Sequence, residues 1–411
     1  MNGRGIGYLL KKFPRLSETF VLGELLGQEQ LGLEPVVISR RAPDDEPRHP
    51  ELARLRAPVE VMPPTGELDP LTELLVAPGS EDLRLDRVRG LVQAMQRFDH
   101  PRLTRLVGEA LYVRRLARRL DIEHLHVHFA TDSAVVALLL RALGGPSYSL
   151  TAHAKDIYRE TVDPALLSLL VERSEFTVTV CDANVRFLEG MLAPPALRKL
   201  RRLYNGIDLA AFRWNGGARE EDHLVSVGRL VPKKGFDVLI DAAARLCAGR
   251  PGLRFTIVGE GEERPRLEEQ IRSLGLATNV ELAGARDQEY VRQLLRRATL
   301  VCLACRIAPD GNRDALPTVL LEALASGLPA VSTPVTGIPE ILDGGRVGSL
   351  VRADDPTELA RAIASLLDAP ARRAELARAG REHAERLFDS RKNARVLNEW
   401  LLGARDAAVV R

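Results

Sequence analysis

The chain has 411 residues, 45% of them apolar and 28% charged, a composition of folded globular domains that excludes a disordered protein. Its length favours two domains of about 200 residues each. A net charge of +2 supplies no global field for nucleic acid, and four cysteines (Cys181, Cys247, Cys302, Cys305) are too few for a disulfide framework.

The apolar run ending at Leu140 is far too short to cross a membrane. Lys11 and Lys12 interrupt the amino terminus after few apolar residues, so a signal peptide is not expected. A reduced, cytoplasmic protein is.

IGYLL reads as a buried strand, and Ser17 or Thr19 is placed to cap the helix that carries VLGELLGQEQLG. PVVISR is a second strand. From residue 41 to 78 the chain is rich in proline and acid, which predicts irregular connection or short inserted elements. Residues 84–119, bounded by Arg84 and Arg119, hold ten arginines against three acidic residues, among leucines and valines at helical spacing. Strand HLHVHF, helix SAVVALLLRALG, strand YSLTAH and the polar loop AKDIY follow. A helix from Pro164, strand FTVTV, a helix start at Asp182 and the strand and turn RRLYNGID complete the first half.

The alternation then begins again: strand HLVSVGRL, helix FDVLIDAAARLCAG, strand LRFTIVGEG, helix RPRLEEQIRSLG, strands NVELAG and ATLVCLAC. After the stretch 309–342 come GSLV, two helices, and a last amphipathic helix from SRKNARVLNEW onward. This order predicts the α/β class, with two doubly wound, Rossmann-like domains joined near 205–217 and facing a central cleft. Ligands of such sheets bind at the carboxyl ends of the strands, so the cleft is the expected site.

The stretch 309–342 has a polar loop from Asp310 to Asp314, Pro317 at the expected first helical position, the apolar run VLLEALA, a stop at Gly327 and the strand PAVST. The leading amides of that helix, with the positive end of its dipole, form a ready anion site. Glu322 lies five residues beyond Pro317, roughly 7–8 Å deeper at about 1.5 Å per residue. A ligand with a central diphosphate and hydroxyls at both ends, such as a nucleotide sugar, suits that spacing.

Three other signals read as structural. His124, His126 and His128 share one strand face, but no acidic or cysteine partner is visible in the sequence, so no metal is expected there. Cys302 and Cys305 spell C-x-x-C within a strand, where that separation sends the side chains to opposite faces. GRGIG and VGEGEE leave the dinucleotide fingerprint incomplete, which argues against an oxidoreductase.

GRLVPKKGFD, IVGEGEER, the Asp314 to Glu322 spacing, ASGLPAVSTPVTGIPE and YNGID, in this order, resemble the motifs of the retaining glycosyltransferases of family 4, which have the GT-B architecture. FPRLSETFV and SLTAHAKDIY are similar to the branch that builds exopolysaccharides such as colanic acid. The resemblance implies an acceptor domain (1–205), a nucleotide-sugar domain (206–385) and a final helix (386–411) crossing back onto the first. It implies that Arg229 and Lys234 grip the donor diphosphate with the leading amides of the helix after Pro317, that Leu316, Pro317 and Thr318 contact the donor, and that Glu322 accepts from the ribose hydroxyls. Val258, Gly259, Gly261 and Arg286 would bound the base, His153 would lie under the transferring sugar, and Glu18 and Thr19 would face the acceptor. Asp314 stands where the family usually has a glutamate reaching the sugar hydroxyls, one methylene shorter.

The activity implied is retaining transfer of a hexosyl group from a UDP- or GDP-linked sugar to a glycan or lipid-linked acceptor, with no cofactor and no metal. Two alternatives remain open: a homologue that binds nucleotide sugar without transferring it, and a sugar-nucleotide epimerase of the same shape. The arginine-rich region 84–119 suggests docking on an anionic membrane surface, hence a peripheral position at the inner face of the cell membrane. No nucleic-acid partner is expected.

Overall fold

The structure, a computed structural model, describes residues 5–64, 68, 85–96, 102–213 and 219–409. Parts of the stretch 41–78, of the arginine-rich region (Arg84 and Arg97 among them) and of the joint 205–217 lie outside the described residues.

Two sheets form the frame, and every pairing in them is parallel. The first has seven strands: β1 (Ile6–Leu10), β2 (Val36–Ser39), β3 (Val59–Val61), β4 (His124–His128), β5 (Ser147–Ala152), β6 (Thr177–Thr179) and β7 (Leu200–Arg202). Their spatial order is β3-β2-β1-β4-β5-β6-β7. The second has β8 (His223–Val227), β9 (Arg254–Val258), β10 (Val280–Gly284), β11 (Leu300–Leu303), β12 (Ala330–Ser332) and β13 (Ser349–Leu350), in the order β10-β9-β8-β11-β12-β13. Both sheets are doubly wound, and their strand order reverses beside β1 and β8. Helices cover both faces, so β1, β4 and β5 are buried along their whole length.

β4 satisfies that burial in an unusual way for a strand reading HLHVH. Leu125 and Val127 enter the apolar core on one face. On the other, the hydroxyls of β5 meet the imidazoles: His124 bonds Ser147 and Ser149 at 2.7 and 2.8 Å, and His126 bonds Ser149 and Thr151 at 2.8 and 2.9 Å. Burial pushes both imidazoles down to about 3, so they stay neutral.

Some local expectations are corrected. The first helix, Thr19–Gln30, is preceded by Glu18 in the cap position, and no side chain caps it, so neither Ser17 nor Thr19 does. Pro317 is not the first helical residue but the cap, with an extended ψ of 113°, and the helix runs Thr318–Ala325. In the stretch 41–78 the inserted elements are a short helical turn, Pro50–Arg54, and β3, whose VEV sequence lies at the sheet edge and carries no buried stripe. A helix, Gln288–Arg297, separates NVELAG from ATLVCLAC. Its charged sequence hides a buried face of Val291, Leu294 and Leu295, and Asp287 caps it by accepting from the Tyr290 N–H at 2.9 Å.

The halves are stitched at two places. The last helix, Ser390–Val409, packs on the first sheet's side, where Leu397, Leu401 and Ala404 join the core of Ile6, Tyr8 and Phe176. Gln28 donates to the Ala394 carbonyl and accepts from Asn398, each at 2.9 Å. Glu340, the last residue of the TGIPE motif, reaches from the second half to the helix Asp182–Glu189 in the first. Its two oxygens accept the Asp182 and Ala183 amides, both at 2.8 Å, and Tyr204 donates at 3.0 Å.

A carboxylate at the positive end of a helix dipole, holding two orphan amides, is a charge-assisted cap between domains. Glu340→Ala is expected to cost about 1–3 kcal/mol. In a melting experiment that corresponds to a midpoint lower by about 2–8 °C, and an unchanged midpoint would remove this role.

Candidate active site

A parallel sheet sends all its useful loops off one edge, and here the two edges face each other. The loops after β1 and β5 carry Glu18, Thr19 and His153. Those after β8, β9, β10 and β11 carry Arg229, Lys234, Gly259, Gly261, Arg286 and Asp314. These are the strand ends at which doubly wound sheets hold ligands.

The loop after β8 turns back through Gly235, whose φ of +64° and whose 1.9 Å approach of an added Cβ to the Ala304 carbonyl admit only glycine. Lys234 therefore lies across Gly228 and points at the loop after β11. There Asp314 is clamped between two ammonium groups, Lys233 at 2.8 Å and Lys234 at 2.5 Å. Burial pushes the Asp314 carboxyl towards protonation, but the two lysines overcome it and hold it well below the usual range. Burial also works against the Lys234 ammonium, and Asp314 more than offsets that, raising it.

Arg229 is exposed and, among the described residues, makes no ion pair, although its charge is felt at Lys234. The Thr318 and Val319 amides take no hydrogen-bond partner among the described residues. Lys233, which sequence reasoning passed over beside Lys234, is an equal member of this cluster.

Val258 is core, and Gly259 and Gly261 have a packing reason to be glycine. A Cβ on either would strike the Gly228 or Leu230 carbonyl at 1.9 or 2.3 Å, because the loop after β9 lies directly on the loop after β8. Arg286 is exposed, with its guanidinium over the Tyr290 ring at 5.1 Å. Leu316 is buried.

Between the halves runs a cleft of about 350 Å³. Thr19, Phe20 and Glu51 line it from the first half, and Thr318, Glu322 and Gln288 from the second. Arg229, Lys234 and His153 are not among its lining residues, so the cleft joins Glu322 to Thr19 but stops short of the cationic cluster.

Glu322 is only 5% exposed. Gln288 donates to it at a long 3.4 Å. Burial raises its carboxyl to about 7, with Gln288 and Arg292 pulling only weakly the other way. At the rim Arg292 pairs with Glu51 at 2.5 Å, and the Gln288 amide donates to His49 at 3.2 Å. Gln288 and Arg292 sit on the helix that sequence reading missed, so nothing in the sequence flagged them.

His153 stacks among aromatic rings, 4.7 Å from Phe20 and 4.4 Å from Phe129. Burial, then the neighbouring His128 and Lys155, holds it well below the ordinary histidine value, so it is neutral. The sequence reading found no acidic partner for the β4 histidines, and the structure corrects this. Glu24, one turn into the first helix, brings an oxygen to 3.2 Å from His128 and 3.6 Å from His126. These three side chains have ligand atoms close enough together to hold a metal ion. Glu18 instead binds Arg15 at 2.8 Å.

Comparison with known proteins agrees with this architecture. Residues 17–211 match the family "Glycosyltransferase Family 4", and residues 210–383 match "Glycosyl transferases group 1". The chain is 27% identical over 371 residues to WcaL of Escherichia coli, assigned as a colanic acid biosynthesis glycosyltransferase, covering 88% of this chain and 90% of that one. AmsK of Erwinia amylovora, an amylovoran biosynthesis glycosyltransferase, is 33% identical over 178 residues, 43% of this chain and 44% of that one.

Among solved structures, HepE of Anabaena in complex with UDP and glucose superposes with a TM-score of 0.72 at 18% identity, over 96% of this chain and 98% of that one. Sucrose-phosphate synthase of Thermosynechococcus elongatus gives 0.75 at 18%, over 98% and 100%. Two facing Rossmann-like domains of this kind define the GT-B class. The chain belongs to the family 4 glycosyltransferases.

The raised Glu322 carboxyl fixes a sign for pH. The unfolded chain loses this proton near 4.5 and the folded one near 7, so across that window the folded state loses about 3 kcal/mol relative to its value at lower pH. Glu322→Gln, neutral throughout, escapes this loss. Its melting point should rise relative to the parent between pH 4.5 and 7, and a constant difference would show that Glu322 is not perturbed.

Proposed function

We propose that this glycosyltransferase moves a hexosyl group from a UDP- or GDP-linked sugar to a glycan or lipid-linked acceptor in polysaccharide biosynthesis, with retention of anomeric configuration and without cofactor or metal. The observation that carries the reading is the buried cluster of Lys233, Lys234 and Asp314 beside the free guanidinium of Arg229 and the open amides of Thr318 and Val319. Three cations against one carboxylate leave a surplus of two positive charges, which matches a departing nucleoside diphosphate. The full-length similarity to WcaL and the binding of UDP by HepE support the polysaccharide and donor assignments.

In the proposed reaction the acceptor oxygen attacks the anomeric carbon on the face the diphosphate leaves. The new bond is carbon to acceptor oxygen, the broken one is carbon to phosphate oxygen, and the acceptor proton passes to that phosphate. Lys234, Arg229 and the helix amides stabilise the charge that develops on the leaving group. The Glu322 carboxyl, fifth residue of its helix, receives the ribose hydroxyls, and a bound nucleotide should therefore favour its ionised form. His153 lies under the sugar, Glu18 and Thr19 face the acceptor, and Val258 to Gly261 with Arg286 bound the base.

Asp314 has both oxygens taken by lysines, so its part in sugar recognition comes through a water or after those pairs exchange. Among the described residues no helix is long and apolar enough to cross a membrane. Docking of residues 84–119 on anionic lipid at the inner membrane face rests on the exposed Arg102, Arg115, Arg118 and Arg119. Arg102 and Arg119 already pair with Asp132 and Glu60, which weakens the field they offer.

Lys234→Ala leaves Lys233 to hold Asp314, so the fold should persist while transfer falls by about a hundredfold or more. Screening the melting point against UDP, GDP, ADP and their sugars identifies the donor to use. Near-normal transfer by the variant would refute the assignment.

A further inference from the structure

The buried polar chain behind His153 has no place in the reaction just described. It starts at Glu24 on the helix Thr19–Gln30, a residue whose side chain is mostly withdrawn from solvent. Its Oε1 lies 3.2 Å from His128 Nε2, and His128 Nδ1 lies 3.2 Å from His153 Nε2. Tyr8, fully buried on β1, stacks on His128 with centroids 6.2 Å apart and closes the chain from below. The other ring nitrogen of His153, Nδ1, takes no partner among the described residues. The chain therefore runs from a carboxylate, through two imidazoles, to one unclaimed atom in the loop after β5.

Hydrogen-bond valence dictates the tautomers. Burial pushes the Glu24 carboxyl up, but His128, His126 and Tyr8 together hold it below the usual glutamate value, so it is an acceptor. His128 then carries its proton on Nε2 and offers a lone pair at Nδ1. His153 must donate from Nε2 to that lone pair, and its own Nδ1 is left as an acceptor. With Glu24 as the acceptor at one end and a lone pair on His128 Nδ1, this assignment satisfies both contacts of the chain.

We propose that Glu24 and His128 are positioning residues that lock His153 in the Nε2–H tautomer, so that its Nδ1 accepts a hydroxyl proton of the transferring sugar. This rests on the reading of His153 as the residue beneath that sugar. An acceptor suits the chemistry: the sugar gains positive charge as its bond to phosphate opens, and a lone pair facing it is favourable where an N–H would not be. Without the carboxylate both tautomers of His128 are allowed, and part of the His153 population turns an N–H towards the substrate. The same three groups, Glu24, His126 and His128, have the separation of metal ligands, but both His126 nitrogens already bond Ser149 and Thr151, which favours the hydrogen-bonded chain.

The test is direct. Nitrogen-15 histidine correlation spectra of the whole protein should show His153 and His128 as neutral Nε2–H tautomers, and Glu24→Gln should convert His153 to a mixture. Zinc analysis of the protein as purified and after incubation with zinc accompanies it. An Nδ1–H tautomer in the parent, or stoichiometric zinc lost in the Glu24→Gln and His128→Gln variants, overturns the proposal.

Turnover of UDP-glucose, UDP-galactose and GDP-mannose supplies the functional readout: Glu24→Gln should lower kcat roughly tenfold with KM nearly unchanged. Equal kcat with a scrambled tautomer overturns it too. If Glu24→Gln fails to fold, the spectrum of the parent and the His128→Gln variant still decide. Wild-type turnover by His153→Ala would instead sink the reading of His153, leaving the tautomer assignment to stand or fall on the spectra.

Discussion

Both sheets are wholly parallel, and the rest of the molecule follows from that. A parallel strand can return only through a crossover, so helices bury both faces and loops leave the carboxyl edge alone. Facing two such edges towards each other gathers loops from residue 11 to residue 317 around one gap without any long excursion of the chain. The glycines at 235, 259 and 261 serve this arrangement. They let the loops after β8, β9 and β11 touch backbone to backbone, which is what aims Lys234 at Asp314.

The two ends of the second half's candidate site differ in charge, one cationic and one nearer neutral, and each is set by burial against a partner. At the loop end, two ammonium groups and one carboxylate satisfy each other and leave a net positive charge with Arg229 beside it. At the helix end, Glu322 is buried with one weak partner and stays close to its protonated form. Buried histidines add a constraint from the other direction. His124, His126 and His153 are held neutral, so acid draws protons to the unfolded chain, whereas Glu322 penalises the folded chain as pH rises. The protein is thereby most stable in an intermediate range.

Much of the frame was legible because the strands are apolar and the helices between them periodic. β1, β8, β9 and β11 follow from short, mainly apolar runs, and the restart at HLVSVGRL announces the second sheet. The helix Gln288–Arg297 escaped because it is short and four of its ten residues are charged. Its apolar face is only three residues, and those become meaningful only when packed. Pro317 was placed one residue too far into its helix, since the sequence shows that a proline starts the element but not which ψ it adopts. The histidines of β4 were read as sharing a face. The residue that completes them, Glu24, lies about a hundred positions earlier, and no local pattern connects the two. Lys233 is the same case at short range: adjacent lysines give no hint that both bend to one carboxylate.

What the sequence conceals most thoroughly is the coupling between the halves. Glu340 belongs to a motif that looks local to the second half, yet its carboxylate terminates a helix of the first. Arg292 lies near Glu322 on one side and is paired with Glu51 of the first half on the other, with both charges largely withdrawn from water. Any opening of the cleft therefore separates a poorly hydrated ion pair at the rim, while Glu340 and the final helix, whose Ser390 and Arg391 also line the cleft, hold the halves together. Separating that pair leaves two charges poorly solvated, so contact between the halves at this rim favours the closed cleft.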